Sequence, residues 1–283
     1  MLTHTFCHIE GVGPRTEQRI WTAGCCSWED VETGSAPVSP RKLERFRRAI
    51  ADSAEALRLQ QAGFFSGRLP SAEQWRLFSH FGQSAAFLDI ETTGLDEFQS
   101  SITTIAVFAE GAVRHYVRGI NLEQFPGDIQ KYPLLVTYNG KSFDVPFIRR
   151  EFGIPMEQAH IDLRFVLAAL GFRGGLKRCE QSLGIGREGL EAVDGFFAVL
   201  LWSDYIRHGN ERALETLLAY NIADAVNLSS LMTKAYNLKI RGLPLASLCE
   251  LAPVPVPVCH LKPDAATIAR LQATRNGQWG SWA

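Results

Sequence analysis

The sequence predicts an α/β fold, one mixed sheet flanked by helices behind an N-terminal helical extension. Three observations carry this. Up to about residue 80 the apolar residues recur at helical spacing; from residue 85 short β-branched and aromatic runs follow one another; after the fourth run the chain reads almost wholly as helices. Three strands, a helix, a strand and then helices make one sheet covered by helices.

Taken in order, Ser39-Pro40 reads as an N-cap followed by Pro at the first helical position, and the helix is expected to run to Gly63. Leu43, Phe46 and Ile50 share one face of it, with Arg41, Arg45 and Arg48 opposite. That arginine stripe fits either a phosphate-facing surface or a solvated helix face. Ser71-Ala-Glu-Gln74 has the form of a capping box opening a short helix with Trp75, Leu77 and Phe78. Strands are expected over residues 85–90, 101–108, 113–118 and 134–138, with a turn at Glu110-Gly111 and a fifth, short strand near His160-Ile161. Residues 121–131 read as a weak helix broken near Pro126-Gly127. Helices are expected over residues 143–152, 162–170, 176–183, 194–208 and 211–236. In the tail, Pro-Val alternation over residues 252–258 favours extended polyproline II, a strap or flexible tail. The domain plan is therefore 1–80 helical, 81–240 sheet domain and 241–283 tail.

Composition narrows the function classes. The 283 residues are 46% hydrophobic and 21% charged, which excludes a wholly disordered chain. Lys plus Arg number 29 and Asp plus Glu 30, so bulk positive charge does not hold nucleic acid here, although a local basic patch can. The longest apolar run, residues 195–202, falls far short of the roughly 20 residues that span a bilayer. The first residues carry neither a basic nor an apolar leader. A cytoplasmic protein without membrane contact is expected, with Cys7, Cys25, Cys26, Cys179, Cys249 and Cys259 as reduced thiols. With no C-x-x-C core, they read as buried or idle thiols in preference to metal ligands.

Acidic residues in particular settings suggest the chemistry. Asp89 and Glu91 lie two apart at the end of the first strand, and a side-chain period of 2 points both carboxylates to one face. Asp144 follows the fourth strand. Asp224 lies on the long late helix, four residues after Tyr220 and about 40° from it around the axis. Each alone fits a structural role. Convergence would be penalised by mutual repulsion, which divalent cations remove. Hard oxygen ligands without a His or Cys cluster favour Mg2+ or Mn2+ over Zn2+.

These residues sit in recognisable surroundings. Phe87-Leu-Asp-Ile-Glu-Thr-Thr-Gly-Leu95 resembles the first motif of the DEDD exonucleases of the ribonuclease H-like superfamily. Asn139-x-x-x-Phe143-Asp144 resembles their second motif, and Tyr220-x-x-x-Asp224 their third in its tyrosine form, DEDDy. The histidine form needs His five residues before the Asp, where Ala219 stands. Tyr138–Phe147, His160-Ile-Asp-Leu163 and Tyr220-Asn-Ile-Ala-Asp224 are similar to the YprB-like group, over a likeness reaching about residue 238. The resemblance implies a ribonuclease H-like fold with a five-stranded mixed sheet. It implies metal-dependent 3′-to-5′ hydrolysis of a terminal phosphodiester with two ions, Mg2+ or Mn2+. Asp89, Glu91 and Asp224 would hold the first metal. Asp89 would bridge to a second, which Asp144 would bind directly or through water, and Tyr220 would position the attacking water. Leu95 matches a position that packs against the terminal base in proofreading relatives; a core leucine is the other reading. Asn139 and Lys141 are further candidates for nucleic-acid contact.

Two accessory signals remain. Residues 9–24 resemble a helix-hairpin-helix element, whose hairpin (here Gly11-Val12-Gly13) presents backbone N–H groups to a DNA phosphate. Phosphate contact and a purely structural helix start both fit. Asp162, before a helical run, reads as an N-cap in preference to a fifth acidic ligand. The expected substrate is single-stranded nucleic acid, DNA favoured over RNA by the hairpin alone. An exoribonuclease and a nucleic-acid-binding protein with a decayed site are the rivals. The presence of all four carboxylates and the tyrosine argues against decay.

Overall fold

Strand β1 (Ala85–Thr92) lies at the centre of a five-stranded sheet ordered β3-β2-β1-β4-β5, where β2 is Ile102–Ala109, β3 Ala112–Val117, β4 Leu134–Thr137 and β5 Ala159–Asp162. The computed structural model describes residues 1–33, 38–96, 98–253, 255, 257 and 260–280, the last five as backbone. β1, β2 and β3 pair antiparallel, and Glu110 and Gly111 join β2 to β3 with φ of 54° and 76°. Two consecutive positive φ values match the right-handed twist of a hairpin. β4 and β5 run parallel to β1, so helices must cross between them. The five-stranded mixed sheet flanked by helices, with a helical N-terminal region, is as expected.

Among the described residues five helices precede the sheet: α1 (Pro14–Thr22), α2 (Trp28–Glu32), α3 (Pro40–Arg58), α4 (Ala62–Ser66) and α5 (Phe78–Phe81). Eight follow β3: α6 (Phe125–Ile129), α7 (Asp144–Phe152), α8 (Leu163–Ala169), α9 (Leu176–Ser182), α10 (Gly195–His208), α11 (Glu211–Arg241), α12 (Ala246–Cys249) and α13 (Ala265–Gly280). The central strand is buried on both faces. Phe87 on one face joins Phe6, Trp21, Phe65, Phe81 and Tyr236 in a single core, so the N-terminal helices and α11 cover that face together. On the other face Leu88 and Ile90 pack with Ile105, Phe125 and Phe147 under α6 and α7. A third cluster holds Phe197 and Leu201 of α10, Leu217 of α11 and Ile268 and Leu271 of α13. Burial of this apolar surface is the main force holding the elements in place.

Several boundaries differ from expectation. α3 ends at Arg58, and Gln60 turns the chain with φ of 54°, so Gly63 lies inside α4 instead of ending α3. Ser71 caps nothing: residues Ser71–Leu77 form a 3-10 helix after Pro70, and Gln74, the partner in the expected box, instead donates to the Ser66 carbonyl at 2.6 Å. Pro126 does not break the helix there but lies in the first turn of α6, where its missing N–H costs nothing. α11 runs five residues past Tyr236. The tail also carries α12 and α13, which were not foreseen. α13 has its own start signal, since Asp264 Oδ1 accepts from Thr267 N at 2.8 Å. Val254, Val256 and Val258 of the Pro-Val run, and Cys259, lie outside the described residues. The five described cysteines are free thiols, and burial pushes the Cys7 thiol up to about 12. Among the described residues no helix is long and apolar enough to cross a membrane.

Candidate metal centre

Alternation along β1 puts Asp89 and Glu91 on the face covered by α11, below Phe87. The chain then leaves the sheet sharply. The Thr92 hydroxyl donates to the Gly94 carbonyl at 2.5 Å, and a Cβ on Gly94 would stand 2.8 Å from the Ser100 hydroxyl, which would have to turn aside. Leu95 beyond it is 87% exposed, and the core reading of this residue fails.

The second motif is built by a tight exit from β4. Asn139 has φ of 66°, and a Cβ on Gly140 would meet the Thr137 hydroxyl at 2.3 Å. Asp162, at the end of β5, clasps this loop: its carboxylate accepts from Asn139 N at 2.7 Å and Lys141 N at 3.2 Å, and from Arg164 N at 3.0 Å as cap of α8. The capping role expected of Asp162 is therefore present, extended to a brace. The Asn139 side chain accepts from Arg164, while Lys141 is exposed. The clasp leads into α7, whose first residue is the buried Asp144.

α11 brings the third motif. It is capped by Asn210, and it buries Tyr220 and Asp224. One oxygen each of Asp89, Glu91 and Asp224 lie within 4.8 Å of one another. Asp144 is outside that set, yet near enough that its charge helps raise Asp89 and Glu91. Burial, then the charge of Asp224, pushes the Asp89 and Glu91 carboxyls well above the carboxylate range. Burial lifts Asp144 and Asp224 to about 7, with Arg187 holding Asp224 down. Burial, then Asp224, Glu91 and Asp89, raise the Tyr220 phenol, which therefore stays neutral.

Three residues with no assigned role complete the site. Asn221, fully buried on α11, donates to Asp89 Oδ2 at 2.7 Å and to the Asp89 carbonyl at 3.1 Å, and accepts from Thr104 at 2.9 Å. It sits beside Tyr220 in the quoted motif, but only the packing of α11 on β1 shows what it touches. Arg187 pairs with Asp224 and with Glu180 of α9. No local sequence signal marks either. The donor set fits a hard divalent cation: it is all carboxylate oxygen, and Asp89, Glu91, Asp144 and Asp224 together keep a charge surplus even with Arg187 paired to Asp224.

The hairpin stands apart from this cluster. Gly11 is exposed with φ of 78°, and Gly13 caps α1 with Pro14 behind it. Both line a cavity of 590 Å³ shared with His8, Arg45 and Arg68. Arg45 donates to the Glu10 carbonyl, and Arg48 lies 3.8 Å from Glu44, so these two arginines are engaged within the chain.

A family model described as RNase_H superfamily matches residues 86–236, more than half of the chain. No curated protein matches the sequence. Among solved structures, the family B DNA polymerase from the hyperthermophilic archaeon Pyrobaculum calidifontis is similar at 15% identity and a TM-score of 0.43, over 59% of this chain. The chain spans 27% of that polymerase's length.

Proposed function

The chain belongs to the RNase H superfamily, and on that premise we propose that it is a metal-dependent 3′-to-5′ exonuclease of the DEDDy type that acts on the ends of single-stranded DNA. The observation that carries the reading is the meeting of Asp89, Glu91 and Asp224 within 4.8 Å on a family member's sheet and late helix. Asp89, Glu91 and Asp224 would hold a Mg2+ or Mn2+ ion, and Asp89 with Asp144 a second. Bound there, the cations would activate water and offset charge building on the scissile phosphate. The chain's own residues have separate tasks. Asn221 holds Asp89 in place through two hydrogen bonds. Neutral Tyr220, beside the carboxylates, would orient the attacking water through its hydroxyl. Leu95, exposed at the exit of β1, would lie against the terminal base, with Asn139 and Lys141 near the strand. DNA is preferred over RNA on the strength of Gly11 and Gly13 at the start of α1.

The test uses end-labelled single- and double-stranded DNA and RNA with Mg2+, Mn2+ or EDTA. Shortening of single-stranded DNA from its 3′ end, abolished by EDTA and by Asp89→Ala, is expected. Full activity of clean Asp89→Ala protein would falsify the assignment. Degradation of RNA alone would favour the exoribonuclease reading.

A further inference from the structure

Arg187 enters the carboxylate cluster from outside the three motifs. It lies in the connection between α9 and α10, and its side chain is 4% exposed. Two carboxylates on different helices face it. Its Nε donates to Oε2 of Glu180, and its Nη1 is paired with Oδ1 of Asp224. Glu180 is itself fixed: it is fully buried, and its other oxygen accepts from Asn227 Nδ2 at 3.1 Å. The guanidinium also stands 5.6 Å from the centre of the Tyr220 ring, within cation–π reach. Arg187 therefore touches both residues of the third motif.

The contacts differ in kind. The bond from Nε to Glu180 is directed. The contact of Nη1 with Asp224 is an ion pair without hydrogen-bond alignment, and neither Nη atom has a hydrogen-bond partner. The side chain is thus anchored near its root and aimed by its tip. A buried charge alone is costly. Glu180 cancels that of Arg187, so the pair constrains Asp224 without adding net charge to a site that must accept divalent cations.

We infer that the Glu180–Arg187 pair is a positioning element of the metal centre. Glu180 anchors Arg187, and Arg187 holds Asp224 by Oδ1 and stands over the Tyr220 ring, so both residues of the third motif are fixed from one side. This rests on the reading of Asp89, Glu91 and Asp224 as cation ligands. Partners that orient metal-ligating groups commonly alter metal affinity by about 10–100-fold.

The test titrates Mn2+ alone into the full chain by calorimetry, comparing wild type with the double substitution Arg187→Met, Glu180→Gln. Removing one charge of each sign leaves the net charge unchanged. It also avoids the stranded buried charge that either single change would leave. The expected result is Mn2+ affinity weaker by about 10–100-fold at a melting temperature close to wild type, with kcat reduced and KM held. Affinity within about threefold of wild type, or tighter, overturns the inference. Should the double variant not fold, Arg187→Lys decides. An ammonium keeps the charge but cannot hold Glu180 through Nε and Asp224 through Nη at once. It should weaken Mn2+ binding by at least about tenfold, and wild-type affinity overturns the inference. A wild-type chain that binds no Mn2+ overturns the metal reading beneath it, so the two failures are told apart.

Discussion

Tyr220 and Asp224 stand one turn apart on α11, both buried, and their chemistry divides their tasks. The Tyr220 phenol is raised by burial and by the surrounding carboxylates, so it offers a neutral hydroxyl, a poor ligand for Mg2+ but a competent hydrogen-bonding group for water. Tyr220→Phe keeps the ring under Arg187 and removes only the hydroxyl. It should lower turnover on a single-stranded oligonucleotide by about 10–1000-fold while leaving Mn2+ affinity near wild type. Asp224→Asn should instead weaken Mn2+ binding, because a charged ligand is gone. Calorimetry and a turnover assay on the same preparations separate them. The assignment fails if Tyr220→Phe loses metal and retains turnover at saturating Mn2+. The carboxylates were legible because their placement follows local rules, period 2 for Asp89 and Glu91 and the i, i+4 step for Tyr220 and Asp224. Asn221 and Arg187 were not. The Asn221–Asp89 bond spans 132 positions, and Arg187 lies in a connection whose path depends on where α9 and α11 pack.

At the scale of elements, the N-terminal helical region is tied together by a buried charge as well as by apolar packing. Glu17 of α1 is fully buried and accepts from the Thr5 hydroxyl at 2.6 Å and from the amides of Phe6 and Cys7 at 2.6 and 3.2 Å. Arg76, in the 3-10 helix before α5, donates to it at 2.6 Å, with both side chains at most 3% exposed. Glu17→Ala would leave Arg76 with Glu73 and the Thr5 hydroxyl, and would strand the Thr5 hydroxyl and Phe6 amide donors. A loss of about 3–5 kcal/mol is expected, as for a broken buried pair. Urea unfolding followed by circular dichroism measures it; a loss under about 1 kcal/mol would show that the network is dispensable. In the sequence Glu17 is an acid in a first helical turn, where a favourable helix dipole explains it without burial. The strands and long helices were legible because apolar periodicity is strong over many residues. The end of α3 was misread because Gln60, not a glycine, takes the positive φ there, and the box at Ser71 because Gln74 instead reaches the Ser66 carbonyl.

Over the whole molecule the carboxylate cluster makes stability depend on pH and metal together. Asp144 and Asp224 are lifted by burial from an ordinary 3.8 to about 7, and Asp89 and Glu91 well above their usual range. A carboxyl raised in the folded state binds its proton more tightly there than in the unfolded chain. Its contribution to stability is thus fully present below about pH 4 and is lost as pH rises through about 7. Two histidines, His8 buried and His160 half-buried, act in the opposite sense. Burial lowers His8 to about 4 and His160 to about 3, so each costs stability as pH falls below the ordinary 6.5. A bare stability profile therefore mixes two slopes. Mn2+ separates them, because a cation on the carboxylates needs them ionised and leaves the histidines untouched. The difference between melting temperatures in Mn2+ and in EDTA should widen from about pH 5 to about pH 8. Asp224→Asn, which has no proton to lose, should flatten that rise as well as shrink the difference. A difference that stays constant or narrows over this range would mean that the raised carboxyls are not the groups the cation engages.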